Sequence, residues 1–257
     1  MPDFAVNLSM LFTELPLIER FQAAAQAGFR KVEIQFPYEL SIEQIRQQLD
    51  TNDLQLILIN APAGDWAAGE RGIACHPERL EEFRQGLDLA CQYASNLNCG
   101  MINVLSGIAP ASCSSGEAEE AFIDNLKYAG ALLEKSGIKL VAEAINTQDI
   151  PGFLLHNSQQ AFDLFDRVGQ SNLKLQYDIY HMQIMEGNLI HTLRNNLHRI
   201  GHIQFADVPG RHEPQTGELN FTNIFNALDD MGYSGPLSLE YVPATTTLPG
   251  LSWMANY

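Results

Sequence analysis

Short apolar runs rich in branched side chains alternate with amphipathic segments along the whole chain. A strand of a buried parallel sheet is covered on both faces, so it reads as a nearly continuous apolar run. Eight segments have this character. The predicted strands are residues 4–10, 31–36, 54–60, 100–107, 138–144, 173–179, 200–207 and 236–242.

The segments between these runs carry the signals of helix ends. Ser41 and Gln44 have the spacing of a capping box, in which each side chain binds the backbone N–H of the other residue. Gly28, Gly137 and Gly232 each follow a helical pattern and precede a strand, as a glycine just beyond a helix does. The pattern therefore predicts a strand and then a helix, repeated eight times.

Strict alternation of this kind is typical of a parallel sheet with right-handed crossovers and helices on its faces. Eight units in 257 residues favour closure into a (β/α)8 TIM barrel over an open, doubly wound sheet. No linker or low-complexity segment divides the chain, so residues 1–257 are predicted to fold as one α/β barrel domain. The longest irregular stretch, residues 61–76, predicts a loop over the pocket.

The charge balance limits the partners of the chain. The 31 acidic and 15 basic residues give a net charge of −16, which repels nucleic acid and anionic lipid. No apolar run approaches the ~18 residues that a membrane span needs, and Asp3 stands where a signal peptide would carry positive charge. We expect a cytoplasmic protein that acts on a small molecule, without a nucleic-acid or membrane partner. Assembly into a homo-oligomer is left open.

Polar residues occupy the ends of the four last predicted strands: Glu143, Asp178, Gln204 and Glu240. The chemistry of a (β/α)8 barrel lies at the carboxyl ends of its strands. These residues are spaced by about one βα unit, so consecutive strands would bring them to the same rim. Side chains alternate between the two faces of a strand, and their register lets all four point inward.

Three converging carboxylates would repel one another and raise the pKa of at least one of them. A divalent ion removes this repulsion, and a donor set made only of oxygen suits Mg²⁺ or Mn²⁺ better than zinc. The alternative is that each acid forms a local salt bridge with Arg or Lys. Equivalent positions in four successive units favour the shared metal site.

Three further residues are candidates for substrate binding. His181 follows Asp178 by three residues, in a predicted loop after the sixth strand. Arg211 lies in a polar, turn-rich segment and could bind a carboxylate through two parallel hydrogen bonds. Arg71 in the long loop is a second candidate anion contact. A structural or solvent-exposed role is the alternative for each.

Two motif classes are missing from the sequence. There is no G-x-G-x-x-G run after the first strand and no G-x-S-x-G elbow. We therefore expect no nucleotide cofactor and no serine hydrolase.

Several segments together resemble the hydroxypyruvate isomerase family, which includes the 2-oxo-tetronate isomerases and belongs to the xylose isomerase-like barrels. The resemblance covers nearly the whole chain and is most specific after the seventh strand. The segments that carry it are "NLSMLFTELP", "APAGDWAAGERGIA", "VAEAIN", "QYDIYHMQ", "HIQFADVPGRHEPQTGELN" and "LSLEY".

The resemblance implies a role for each rim residue. A divalent metal would be held by the four residues that end the late strands, with Gln204 where the related sugar epimerases carry histidine. Glu143 and Glu240 would flank the substrate and exchange its proton. His181 and Arg211 would hold substrate oxygens.

The expected function is that of an isomerase. It would interconvert hydroxypyruvate and tartronate semialdehyde, or the equivalent four-carbon 2-oxo acid, by proton transfer through a metal-stabilised enediolate. A ketose 3-epimerase or a sugar-acid dehydratase on the same barrel is an alternative, and so is a non-catalytic barrel that binds a small molecule. The net negative charge and the single histidine at the predicted rim oppose a nuclease of the AP-endonuclease type.

Overall fold

Eight parallel strands close into a barrel in the computed structural model, which describes residues 2–257. Each strand pairs with the next one along the chain, and the last pairs with the first. The predicted (β/α)8 TIM barrel is therefore confirmed. The strands are β1 (Phe4–Asn7), β2 (Lys31–Ile34), β3 (Gln55–Asn60), β4 (Met101–Asn103), β5 (Lys139–Glu143), β6 (Leu173–Asp178), β7 (Ile200–Phe205) and β8 (Leu237–Leu239).

A helix follows every strand, and β6 is followed by two. The helices are α1 (Leu17–Gln26), α2 (Ile42–Asn52), α3 (Leu80–Asn96), α4 (Ser115–Glu134), α5 (Ser158–Val168), α6 (Ile179–Met185), α7 (Leu189–Asn196), α8 (Phe221–Asp230) and α9 (Thr247–Gly250). No helix within residues 2–257 is both long enough and apolar enough to cross a membrane.

The predicted capping box is present at the start of α2. Ser41 Oγ accepts from the backbone N–H of Gln44, while the Gln44 side chain accepts from the backbone N–H of Ser41. Such a cap stabilises a helix by about 1 kcal/mol. The glycine predicted after α1, Gly28, has a φ of 97°, which a residue with a Cβ rarely adopts.

The fourth strand is shorter than the prediction of residues 100–107. Val104 N still donates to Val141 O of β5, and beyond it the backbone leaves the barrel and binds the loops on either side: Ser106 O accepts from Cys75 N, and Gly107 O accepts from Leu154 N. These bonds replace those of the strand ladder. The strand therefore ends although the sequence that follows it is still apolar. The first and last strands also end before their predicted limits.

The barrel interior is polar near the carboxyl ends of its strands. Branched apolar side chains usually fill the inside of such a barrel. Here a small apolar cluster of Ala5, Ile57, Leu58, Met101 and Val141 is separate from the main core. The buried polar residues on the strands or directly after them are Asn7, Glu33, Asn60, Asn103, Glu143, Gln176, Asp178, His202, Gln204, Ser238 and Glu240. Burial of so many polar groups requires a network of partners.

Candidate active site

The four polar residues predicted at the late strand ends are buried at one rim of the barrel. Glu143 ends β5 and Asp178 ends β6. Asp178 pairs in register with Gln204 of β7, and Gln204 pairs with Ser238, two residues before Glu240. The register therefore places these side chains at the same end of the barrel.

Two glutamine amides connect the rim from β5 to β8. Gln176 Nε2 donates to Glu143 Oε2 at 3.0 Å and to Gln204 Oε1 at 2.6 Å. Gln204 Nε2 donates to Glu240 Oε1 at 3.1 Å and to Glu33 Oε1 at 2.6 Å. Both acceptors of the Gln204 amide are carboxylate oxygens, which fixes the orientation of that amide. The two rim glutamates thus belong to one hydrogen-bonded chain.

Each rim glutamate has one carboxylate oxygen held by amide donors. Glu143 Oε2 accepts from Asn103 Nδ2 at 3.2 Å in addition to the bond described above. Glu240 Oε1 accepts from Asn7 Nδ2 and from Gln35 Nε2, both at 2.9 Å. These amides anchor one oxygen and leave the other directed toward the centre of the rim.

The free oxygens of the three acids meet two nitrogen-bearing side chains. Arg211 Nη2 lies 2.6 Å from Glu240 Oε2 and 3.3 Å from Asp178 Oδ2. His181 Nε2 lies 3.5 Å from Asp178 Oδ2 and 3.7 Å from Glu143 Oε1. The predicted substrate ligands His181 and Arg211 therefore lie at the rim, in contact with the carboxylates.

His181 lies in the first turn of α6, so the prediction that it occupies a loop is wrong. Asp178 caps this helix, because its Oδ1 accepts from the backbone N–H of Tyr180 at 2.9 Å. An aspartate at this position satisfies a free N–H of the first turn and favours helix formation. The cap delivers His181 to the rim as a buried side chain.

Burial and mutual repulsion disturb the titration of the rim acids. Burial, together with the charges of Glu240 and Asp178, raises the pKa of Glu143 well above its ordinary value. Burial raises the pKa of Glu240 to about 8 and that of Asp178 to about 6, although Arg211 acts against both shifts. Burial, followed by the charge of Arg211, lowers the pKa of His181. One guanidinium therefore does not offset all the negative charge at this rim.

The rim has the composition of a divalent cation site. Glu143, Asp178 and His181 offer ligand atoms that all lie within 4.8 Å of one another. Asn103 Oδ1 and Gln176 Oε1 are buried and have no hydrogen-bond partner within residues 2–257. Converging carboxylates and buried oxygens without partners match the preferences of a hard cation. These residues therefore fit a divalent metal.

Sequence patterns did not identify the second polar layer beneath the rim. Glu33 of β2 and His202 of β7 are fully buried, and His202 Nε2 lies 2.8 Å from Glu33 Oε2. Glu33 Oε1 accepts from Asn7 Nδ2 at 3.0 Å as well as from Gln204. The sequence signal for this layer is Glu33 within the otherwise apolar run "KVEIQF", but only closure of the barrel shows which residues lie opposite Glu33.

Asp207 organises the segment that carries Arg211, and this role was not predicted either. Its two carboxylate oxygens accept from four backbone N–H groups, those of Val208, Gln215, Gly217 and Leu219, at 2.8 to 3.0 Å. Arg211 itself has a φ of 56°, in the left-handed region. A buried carboxylate thus holds a strained loop whose arginine reaches back to the rim.

Arg71 does not contact the rim residues described above. Its guanidinium lies over the Trp66 ring, 4.3 Å from the centroid, and donates to the carbonyl oxygens of Trp66 and Glu70. Trp66 packs on Phe36 with ring centroids 5.1 Å apart, and Phe36 is next to Gln35 in the sequence. The long loop therefore lies beside the rim, and substrate binding by Arg71 stays a prediction.

A separate open groove of about 1110 Å³ lies between the starts of α3 and α4. Its lining includes Pro77, Leu80, Cys113 and Ala121, and none of the rim carboxylates. The chemistry of the rim, rather than the volume of this groove, identifies the candidate site.

Known proteins resemble this chain over its whole length. Residues 21–257 match the profile of the xylose isomerase-like TIM barrel family. The Escherichia coli K12 protein named hydroxypyruvate isomerase is 50% identical, over 99% of this chain and 98% of that protein. The 2-oxo-tetronate isomerase of Cupriavidus necator is 42% identical, over 100% and 99%. A solved Brucella melitensis structure, described as an AP endonuclease of family 2, has a TM-score of 0.97 at 42% identity, covering 100% and 99% of the two chains.

The fold and the profile match show that the chain is a xylose isomerase-like barrel. The chain belongs to this family and, within it, to the group of hydroxypyruvate isomerases and 2-oxo-tetronate isomerases. The resemblance and the isomerase class that it implied are therefore confirmed.

Replacing Asp207 with Asn should loosen the loop that carries Arg211. The amide offers one acceptor oxygen where the carboxylate offers two, so some of the four part-buried backbone N–H groups lose their partner inside the protein. We expect faster hydrogen exchange of the amides in residues 208–219, measured by mass spectrometry. Glu218→Gln, a carboxyl-to-amide change on an exposed residue of the same segment, is the control and should leave those rates unchanged. Equal exchange in Asp207→Asn and the control would contradict this role.

Proposed function

We propose that this isomerase interconverts a 2-oxo-3-hydroxy acid and its aldehyde isomer. The substrate pair would be hydroxypyruvate and tartronate semialdehyde, or the corresponding four-carbon 2-oxo acid. The observation that carries the proposal is that Glu143 and Glu240, each with one oxygen anchored by amides and the other facing the centre of the rim, share that rim with Arg211. The names of the two isomerases at 50% and 42% identity support the substrate class.

Glu143 and Glu240 are the proposed proton-transfer groups. One glutamate removes a proton from the carbon next to the carbonyl, and the proton returns to the former carbonyl carbon of the resulting enediolate, while the hydroxyl proton passes to the former carbonyl oxygen. A base must reach its proton directly, and Glu143 Oε1 and Glu240 Oε2 are the oxygens that face the centre of the rim. Glu240 Oε2 accepts from Arg211 Nη2 at 2.6 Å, so Glu240 would act as the base only when that bond is exchanged for the substrate. The hydrogen bonds that side-chain amides donate to the other oxygens keep both carboxylates from rotating.

The proposed ligands of a divalent cation are Glu143, Asp178, Gln204 and Glu240. Their oxygen donors prefer Mg²⁺ or Mn²⁺. When bound, such an ion would polarise the substrate carbonyl and stabilise negative charge as it develops. Gln204 Nε2 donates to two carboxylates, so only its Oε1 could bind the cation, through the lone pair that the bond from Gln176 Nε2 leaves.

Arg211 is the proposed ligand of the substrate carboxylate. Its Nη2 already binds Glu240 and Asp178, while its side chain keeps 22% of its surface exposed. A guanidinium presents several N–H groups in one plane, and Arg211 Nη1, which has no partner within residues 2–257, can bind the carboxylate of the substrate. The same residue would then offset the charge of two rim acids and orient the substrate. Arg71 is proposed as an additional anion contact from the long loop.

Charge and donor type disfavour a nuclease, despite the description of the Brucella structure. A net charge of −16 opposes the approach of a nucleic acid, and three acids with a single histidine at the rim offer few nitrogen ligands for several metal ions. A ketose 3-epimerase would use the same two glutamates, so a substrate panel is needed to separate it. We also propose a cytoplasmic location, and homo-oligomer formation stays a prediction.

Glu143→Gln and Glu240→Gln should each lower turnover by ~10²–10⁴-fold, because each removes a positioned proton carrier and keeps its size. Turnover of hydroxypyruvate and of four-carbon 2-oxo acids in D₂O, followed by ¹H NMR, measures both isomerisation and solvent exchange. Glu134→Gln, on an exposed position near the end of α4, is the control. Near-normal activity of either rim variant would remove that glutamate from the mechanism. Turnover of ketoses alone would favour the epimerase.

Arg211→Lys should raise KM for the carboxylate-bearing substrate by about 10-fold or more and change kcat less. Lysine keeps the charge but loses the planar pair of donors, which costs binding that substrate and transition state share. Steady-state kinetics at fixed ionic strength provide the measurement. The control is Arg194→Lys on the exposed face of α7. An unchanged KM would exclude Arg211 as the carboxylate ligand.

Removal of divalent ions should lower both activity and thermal stability. An ion that binds only the folded state adds about 2.7 kcal/mol at a concentration 100 times its Kd. We expect treatment with a chelator to abolish turnover, and Mg²⁺ or Mn²⁺ to restore it and raise the Tm. Asp178→Asn should lose that Tm response, because it removes one charged ligand. The same Tm with and without ions in the unaltered chain would contradict a metal site here.

A further inference from the structure

His181 is held on its far side by a single residue, Asn146, which lies just after β5. His181 Nδ1 is 2.7 Å from Asn146 Nδ2 and 3.4 Å from the backbone nitrogen of Asn146. Both residues are buried. Which ring nitrogen of a neutral histidine carries the proton is determined by the partners of the ring.

The side-chain amide of Asn146 has only one orientation that satisfies its neighbours. Its Oδ1 accepts from the backbone N–H groups of Gln148 at 3.0 Å and of Asp149 at 2.8 Å. Its Nδ2 donates to Asp149 Oδ2 at 2.9 Å. Rotation of the amide by 180° would place an oxygen against a carboxylate and an NH₂ against two N–H groups. The group that faces His181 is therefore the NH₂.

We propose that Asn146 is a positioning residue that keeps the Nδ1 of His181 unprotonated, so that the ring carries its proton on Nε2. Two N–H groups point at Nδ1, and a proton on that nitrogen would meet both of them. Nε2 is directed to the other side, toward Glu143 Oε1 and Asp178 Oδ2. His181 thus presents an N–H donor to the centre of the rim.

The position of His181 alone would allow it to bind a metal, but a ring with its proton on Nε2 does not. Its nitrogen lies within 4.8 Å of ligand atoms of Glu143 and Asp178, yet a nitrogen that binds a metal must offer a lone pair. A metal on Nε2 would move the ring proton to Nδ1, and metal-binding histidines usually donate that proton to a carboxylate or carbonyl oxygen. Here the Nδ1 position faces donors instead.

The consequence for catalysis rests on the proposed function. An enediolate carries negative charge on substrate oxygens, and a fixed N–H donor beside it stabilises that charge. His181 would supply such a donor from the first turn of α6, whose direction is set by Asp178. Asn146 would act through His181 without touching the substrate.

The tautomer can be read directly by NMR of protein labelled with ¹⁵N histidine. Two-bond ¹H–¹⁵N correlations distinguish a protonated nitrogen from one with a free lone pair, and the spectrum of His181→Gln assigns the signals. We expect the Nε2–H form in the unaltered chain, with or without Mg²⁺. Asn146→Asp places a carboxylate oxygen next to Nδ1 and should shift the ring to the Nδ1–H form. Asn146→Ala should allow a mixture of both.

Asn195→Asp is the matched control, because Asn195 Nδ2 lies 2.9 Å from His191 Nε2 in an exposed pair on α7. It should leave the His181 signals unchanged. A ring protonated on Nδ1 in the unaltered chain, loss of the Nε2 proton on addition of Mg²⁺, or a His181 tautomer that ignores Asn146→Asp would each overturn the proposal.

Kinetics separate this inference from the proposed isomerase reaction. Asn146→Asp should lower kcat on the order of 10–100-fold with a smaller change in KM, as expected when the partner that orients a working histidine is altered. A changed tautomer with unchanged kcat would overturn the donor role. If the unaltered chain showed the Nε2–H form but turned over none of the 2-oxo acids, the proposed function would fail while the control of the tautomer by Asn146 would stand.

Discussion

The barrel is built around one electrostatic constraint, the burial of three carboxylates at the carboxyl ends of its strands. Burial of an ionised acid is costly unless charge and hydrogen bonds compensate for it. Arg211 supplies one positive charge to Glu240 and Asp178. Neutral amides supply most of the remaining bonds, and they come from four strands and one strand-end loop: Asn7, Gln35, Asn103, Gln176 and Gln204. The polar interior is thus a consequence of the site.

Amide donors have an effect that additional arginines would not have. An N–H dipole fixes the direction of a carboxylate but leaves its net charge in place. When its three acids are ionised, the rim therefore has an excess of negative charge, which attracts a cation, and one arginine, which attracts an anion. A site of this kind suits a substrate that carries a carboxylate next to polarisable oxygens. A fully neutralised cluster would have been a stable core element without affinity for either.

The sequence predicted the parts of the fold and site that depend on local pattern. Alternation of strand and helix signals identified eight units, and closure then placed Glu143, Asp178 and Glu240 together because they lie at the ends of β5, β6 and β8. It did not predict the pairing of Glu33 with His202, since those residues are far apart in the chain and meet only across the closed barrel. The role of Asp207 in holding the loop that carries Arg211 was also missed, because turn residues reveal a loop but not its path. The helix at His181 could have been predicted, since Asp178 precedes an apolar run as an N-cap does.

The three rim acids share one arrangement, which serves both the fold and the proposed chemistry. Each has one oxygen bound to N–H donors of the scaffold and the other facing the centre of the rim. For Asp178 the anchored oxygen caps α6, so a single carboxylate orients the helix that carries His181 and faces that same side chain. Positioning groups in a site must themselves be held by packed and hydrogen-bonded neighbours if they are to act without reorganisation. Here the residues that would perform the reaction also stabilise the elements that present them, so a change at one acid alters both geometry and charge.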